Sequence, residues 1–149
     1  MSAYRAPNPD FAERVRDSFA RQGAMALIGA ELTRVEPGEC EIRLPYRREL
    51  SQQHGYFHGG IIGTIADSAG GYAAFSLMPA DASVLTVEYK MNLLAPGDGE
   101  VLIARARVLK PGRTLVVATV DAVAVKAGCE TLCATLLQTL MTMHGRPDQ

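Results

Sequence analysis

Gln52-Gln53-His54-Gly55-Tyr56-Phe57-His58-Gly59-Gly60-Ile61-Ile62-Gly63-Thr64-Ile65-Ala66-Asp67 is the stretch from which the architecture of this chain can be read. A polar loop ends in two glycines, a run of small and apolar residues follows, and one carboxylate stands two turns in. Glycines at a helix start leave the first N–H groups open to a ligand, and the helix dipole there favours negative charge. A carboxylate inside an apolar helix is costly to bury without partners. The pair reads as an oxyanion site together with a base or nucleophile.

On a 3.6-residue wheel Ile61, Ile62, Ile65, Ala66, Ala69, Tyr72 and Ala73 form an apolar face, expected to lie against a sheet. Gly60, Gly63, Thr64, Asp67, Gly70, Gly71 and Ala74 gather opposite, where close approach of a ligand or of a second copy is expected. Gly59 and Asp67 are eight positions apart, roughly 12 Å along the axis. A donor and an attacking group must both come within about 3 Å of one carbonyl. One helix cannot supply both. The spacing therefore predicts a two-fold dimer whose sites straddle the interface.

Outward from this helix, Asp10 caps a short amphipathic helix carrying Phe11, Val15 and Phe19 at four-residue spacing, so a helix is expected over about 10–22. Alternation on both sides of Pro37-Gly38 predicts a hairpin over 30–46. Arg47 to Phe57 reads as a polar loop, and Gly59 to about Leu77 as one helix ended by Pro79. Four segments rich in Val, Thr and Leu follow: 84–94, 100–110, 114–126 and 130–143, divided by Gly- and Pro-containing turns. Helices set apart from a run of antiparallel strands imply an α+β domain with a curved sheet around the central helix. The 149 residues suffice for one such domain, with its core over about 25–143.

Composition narrows the function classes. The chain is 48% hydrophobic and 21% charged with a net charge of −1, which gives no footprint for nucleic acid or an anionic membrane surface. Cys40, Cys129 and Cys133 show no metal-ligand spacing and are expected to be reduced, buried thiols. His54 and His58 are spaced like a metal pair but lack a third ligand nearby, so no metal is expected. Residues 1–10 lack an apolar leader, and the apolar stretch 61–80 is broken by Asp67, glycines and Pro79, so a cytoplasmic location is expected. A G-x-S-x-G elbow is missing, and Gly59 to Thr64 lacks the lysine of a phosphate-binding loop.

At Gln52, His58-Gly59-Gly60 and Asp67 the chain resembles the hot-dog-fold acyl-CoA thioesterases, in particular the phenylacetyl-CoA thioesterase-like (PaaI-like) branch related to 4-hydroxybenzoyl-CoA thioesterases. Leu85 to Pro96 resembles the family's third strand, and Leu109-Lys110-Pro111-Gly112-Arg113-Thr114-Leu115 its next hairpin. The resemblance implies a central helix wrapped by the sheet, pairing into homodimers and often into dimers of dimers (homotetramers). It implies Asp67 as general base or nucleophile, the Gly59 N–H as the donor to the thioester carbonyl, Gln52 as orienter of carbonyl or water, and Thr86 assisting from the partner strand. His58, Gly60, Lys90, Asn92, Lys110, Gly112 and Arg113 are the candidate substrate contacts, with Lys90, Lys110 and Arg113 directed at CoA phosphates. No cofactor is expected beyond the coenzyme A carried by the substrate.

Each residue also has a plainer reading. Asp67 could be a structural carboxylate, Gly59-Gly60 a tight turn, His58 a loop-fixing residue, Thr86 a strand threonine, and the cations solvated side chains. Two other functions use the same fold: a non-catalytic acyl-CoA binding or sensing module, and a hydratase or dehydratase. The carboxylate spacing favours thioester hydrolysis, with medium-chain or aryl-acetyl groups as the expected acyl moiety.

Overall fold

The structure is a computed structural model that describes residues 3–149; Met1 and Ser2, at the start of the segment read for a leader, lie outside them. Two short helices, α1 (Phe11–Ala20) and α2 (Gly23–Ile28), precede the hairpin strands β1 (Glu31–Glu36) and β2 (Glu39–Pro45). A single 3-10 turn, Arg48–Leu50, leads to the central helix α3 (Gly59–Phe75). Strands β3 (Ser83–Leu93), β4 (Val101–Pro111), β5 (Leu115–Lys126) and β6 (Cys129–Met143) follow. All pairings are antiparallel in one six-stranded sheet of order β1-β2-β4-β5-β6-β3. The expected α+β architecture, a curved sheet around one long helix, is what the chain adopts.

Small side chains allow the wrapping. The sheet presents Ala104 and Ala106 of β4, Ala118, Ala122 and Ala124 of β5 and Ala134 of β6 among its buried positions. Ile62, Ile65, Ala66, Ala69, Ala73 and Phe75 of α3 are likewise buried, with Ile42, Leu44, Leu102, Leu136 and Leu140 completing the core. Alanine on the strands lets the helix sit close, and tight packing then fixes its rotation.

Three local expectations are corrected. The expected N-terminal helix is present as α1 but is followed by an unexpected second one: the chain breaks at Arg21-Gln22, and α2 ends at Gly29, whose left-handed φ of 77° lets its N–H bond Met25 O at 3.0 Å. The glycine-rich side of α3 is not left open to a ligand or a second copy along its length. Strands β3 and β6 of the same chain curl over it, so a Cβ at Gly63 would meet Met91 and Tyr89, and one at Gly70 would collide with Gln138. Finally, Cys40 and Cys133 are buried thiols, with burial the main cause pushing each one's pKa up, but Cys129 is exposed at the β5–β6 turn.

Candidate active site

Loop 47–58 is tied by its backbone to the β3–β4 connection and to itself. Phe57 N–H donates to Gly97 O at 2.9 Å and His58 N–H to Leu50 O at 3.0 Å, which sets the angle at which α3 begins. His58 then serves as the helix cap: its Nδ1 accepts the Gly60 N–H at 2.9 Å, and its carbonyl accepts from Ile61 and Ile62. Gly60 thus keeps no free N–H for a ligand. The Gly59 N–H has no partner among the described residues. Leu93 lies over it, close enough that a Cβ at Gly59 would sit 3.0 Å from Leu93 Cδ1.

Gln52 shares a cavity of about 450 Å³ with Gly59, walled by Tyr56, Ile62, Leu93 and Pro96. The Gln52 Oε1 accepts from His54 N–H, and its amide NH2 has no protein partner among the described residues.

Asp67 opens onto a second cavity, of about 540 Å³, lined by Thr86, Ser68, Tyr72, Gln22, Ser18 and Val84 among others. The Thr86 hydroxyl donates to Asp67 Oδ1 at 2.7 Å, and Gln138 Nε2 donates to the same oxygen at 2.5 Å. Oδ2 has no protein partner among the described residues. Thr86 therefore meets Asp67 of its own chain. Deeper in the cavity, Tyr72 OH bonds Ser18 Oγ at 3.2 Å and accepts from Gln22 Nε2 at 2.7 Å. Burial pushes the Tyr72 phenol pKa up, partly offset by those two hydrogen bonds.

The structure brings Gln52 to Gly59 and Thr86 to Asp67, and keeps the two pairs in separate cavities. It does not gather the candidate phosphate contacts. Lys90 and Asn92 pair with Leu137 and Thr135 along β3 and β6, whereas Lys110, Gly112 and Arg113 stand at the β4–β5 turn beyond the Leu115–Met141 pair. Leu85 also pairs with Met141, so the turn and Lys90 are about five strand residues, roughly 17 Å, apart. Gly112 has a structural reason to be glycine, since a Cβ there would collide with Leu115 O. Sequence reading passed over Gln138. The available signal was its register: a polar residue in line with Leu136 and Leu140, which both face the core.

A long helix wrapped by a six-stranded antiparallel sheet is the hot-dog architecture. The thioesterase superfamily profile matches residues 54–131, and the chain belongs to that family. A thioesterase family protein from Silicibacter pomeroyi is similar at 54% identity over 91% of this chain and 99% of its own, with a TM-score of 0.89. The 1,4-dihydroxy-2-naphthoyl-CoA hydrolase of Listeria monocytogenes is 28% identical over 92 residues, 62% of this chain and 75% of the relative. The E. coli PaaI protein of the phenylacetic acid degradation operon shares the fold at 17% identity, with a TM-score of 0.82 over 93% of this chain and 96% of its own. Among the described residues, no helix is long and apolar enough to cross a membrane.

Proposed function

We propose that the chain hydrolyses acyl-CoA thioesters to the free acid and CoA at a centre assembled from two copies. The observation that carries this reading is a pair of unsatisfied groups at opposite ends of β3: the Gly59 N–H under Leu93, and Asp67 Oδ2 beside Thr86. Strand β3 is one of the sheet's two edges, with Leu85, Val87 and Leu93 each more than half exposed. Pairing that edge antiparallel with a second copy about a two-fold axis puts the Thr86 end of one strand against the Leu93 end of the other. Gly59 with Gln52 from one copy then faces Asp67 with Thr86 from the other, and the 12 Å separation on one helix ceases to matter.

The chemistry follows from those groups. The Gly59 N–H, at the positive end of α3, polarises the thioester carbonyl, and the Gln52 amide orients the carbonyl or the water. Asp67 Oδ2 takes a proton from a water whose oxygen bonds to the carbonyl carbon, or itself attacks that carbon to give an acyl-aspartyl anhydride that water hydrolyses once CoA has left. The C–S bond then breaks and the CoA sulfur leaves as thiolate, which takes up a proton. A thioester is activated enough for this to proceed without a metal or further cofactor. The capping role of His58 argues against a hydratase, which would need a histidine and an acid together at the acyl chain. The CoA ester in the Listeria relative's name supports CoA as the carrier, and a cytoplasmic location belongs to the same reading.

Free-thiol release from short, medium and aromatic acyl-CoAs, wild type against Asp67→Asn, tests it. A loss of at least about 100-fold in kcat is expected, the scale of a positioned base. Release unaffected by Asp67→Asn would overturn the mechanism, and no release from any substrate would favour the binding module.

A further inference from the structure

Gln138 lies on β6 with its side chain fully buried, turned inward onto α3. Buried amides are normally satisfied at both ends. Here the whole hydrogen-bonding capacity points one way. Nε2 reaches Asp67 Oδ1 at 2.5 Å, Thr86 Oγ1 at 3.1 Å and the Asp67 main-chain oxygen at 3.2 Å, while Oε1 is buried with no partner. That Oε1 occupies the space a Cβ would take at Gly70. Leaving an amide oxygen unpaired costs about 1–3 kcal/mol, so the arrangement is not explained by packing alone.

The donor inventory settles the proton arrangement. An amide NH2 can only donate, so Thr86 Oγ1 must accept from Gln138, and the Thr86 hydroxyl proton is left to point at Asp67 Oδ1. The opposite amide orientation would press two acceptor oxygens together. Both bonds to the Asp67 side chain therefore fall on Oδ1, and rotation of the carboxylate about its χ2 would break both. We infer that Gln138 is the positioning residue of the active carboxylate, locking Asp67 by way of Thr86 and Oδ1 so that Oδ2 alone is presented to the reacting centre, with Gly70 as the notch that admits it. This rests on the proposed hydrolase reading.

Gln138→Met keeps the length and removes both donors. Its kcat is expected to fall about tenfold to a hundredfold, the scale of a misplaced catalytic group, with KM within about twofold, since ground-state binding is untouched. Because the effect runs through Asp67, adding Gln138→Met to Asp67→Asn should cause no further loss. Gln138→Glu sets a second carboxyl against Asp67; the two then compete for one proton, and the acid limb of the kcat profile should move to higher pH. Gly70→Ala, which evicts Oε1, should reproduce the kcat loss of Gln138→Met. Wild-type kcat in Gln138→Met, a full multiplicative loss in the double variant, or an unshifted acid limb in Gln138→Glu would each overturn the positioning role while leaving the hydrolase intact. The pH profile decides even if Gln138→Met does not fold. A wild type inert to every acyl-CoA overturns the hydrolase reading, and this role with it.

Discussion

The Nδ1 of His58 accepts the N–H of Gly60 at 2.9 Å, and that one bond sorts the amides at the start of α3. Gly60, Ile61 and Ile62 are all bonded within the cap, so Gly59 alone offers an N–H to a ligand. A neutral imidazole that accepts at Nδ1 carries its proton on Nε2. The histidine of the His-Gly-Gly motif thus acts on the helix, and through the helix on the Gly59 N–H.

Removing this cap should be felt as stability. His58→Ala is expected to cost about 1 kcal/mol, which lowers Tm by about 2–4 °C in a domain of this size. His58→Asn, which can cap in the same way, should restore most of the loss. Thermal unfolding of the three proteins is the measurement, and equal Tm values for His58→Ala and wild type would show that the bond contributes nothing.

Val87 stands 55% exposed on the edge strand β3, where register shifts between Thr86 and Glu88. A charge placed there should keep a second copy from pairing, as natural edge strands do. Val87→Glu is expected to sediment as a monomer and to lose more than about tenfold in thiol release, because neither half of the centre is complete alone. A monomeric variant with wild-type turnover would reject the two-copy site.

Tyr72 supplies a pH dependence. Burial raises its pKa above the ordinary value of about 10. In the window above pH 10 the unfolded chain has released the phenol proton while the folded chain still holds it, so stability falls as pH rises and is lost through the folded value. Below pH 10 the contribution is fully present. Denaturant midpoints between pH 9 and 11 should fall more steeply for wild type than for Tyr72→Phe, by up to one proton's slope. Parallel curves would show that the buried phenol does not titrate in that range.

The sequence made the main frame legible because its punctuation is strong. Pro37-Gly38 and Ala127-Gly128 fall between strands, Pro111-Gly112 marks the end of β4, and Ala127-Gly128 forms a turn with both residues at positive φ. The extent of α3 was marked by Gly59-Gly60 at its start and Pro79 beyond its end, and the separation of Gly59 from Asp67 followed from the fixed rise per residue. Helix α2 was hidden because Gly23-Ala24-Met25-Ala26-Leu27-Ile28 has no side-chain cap and no polar face to give it a period. The glycine-rich side of α3 signalled a close approach correctly but not by what, because the covering strands β3 and β6 are distant in sequence. Gln138 escaped for the same reason: its meaning lies in Asp67, 71 positions away.

Gly70 sets a limit on how this protein can be made hardier. Replacing a helical glycine by alanine ordinarily strengthens a helix by roughly 1 kcal/mol, and α3 offers several such positions. At Gly71 an added methyl would meet only Leu140 Cδ2 at 3.8 Å, an ordinary contact. At Gly70 the same methyl would fall on the buried oxygen of Gln138. Thermostabilisation by alanine substitution is therefore open at Gly71 and closed one residue earlier, where rigidity of the backbone and readiness of the carboxylate compete for the same few cubic ångströms.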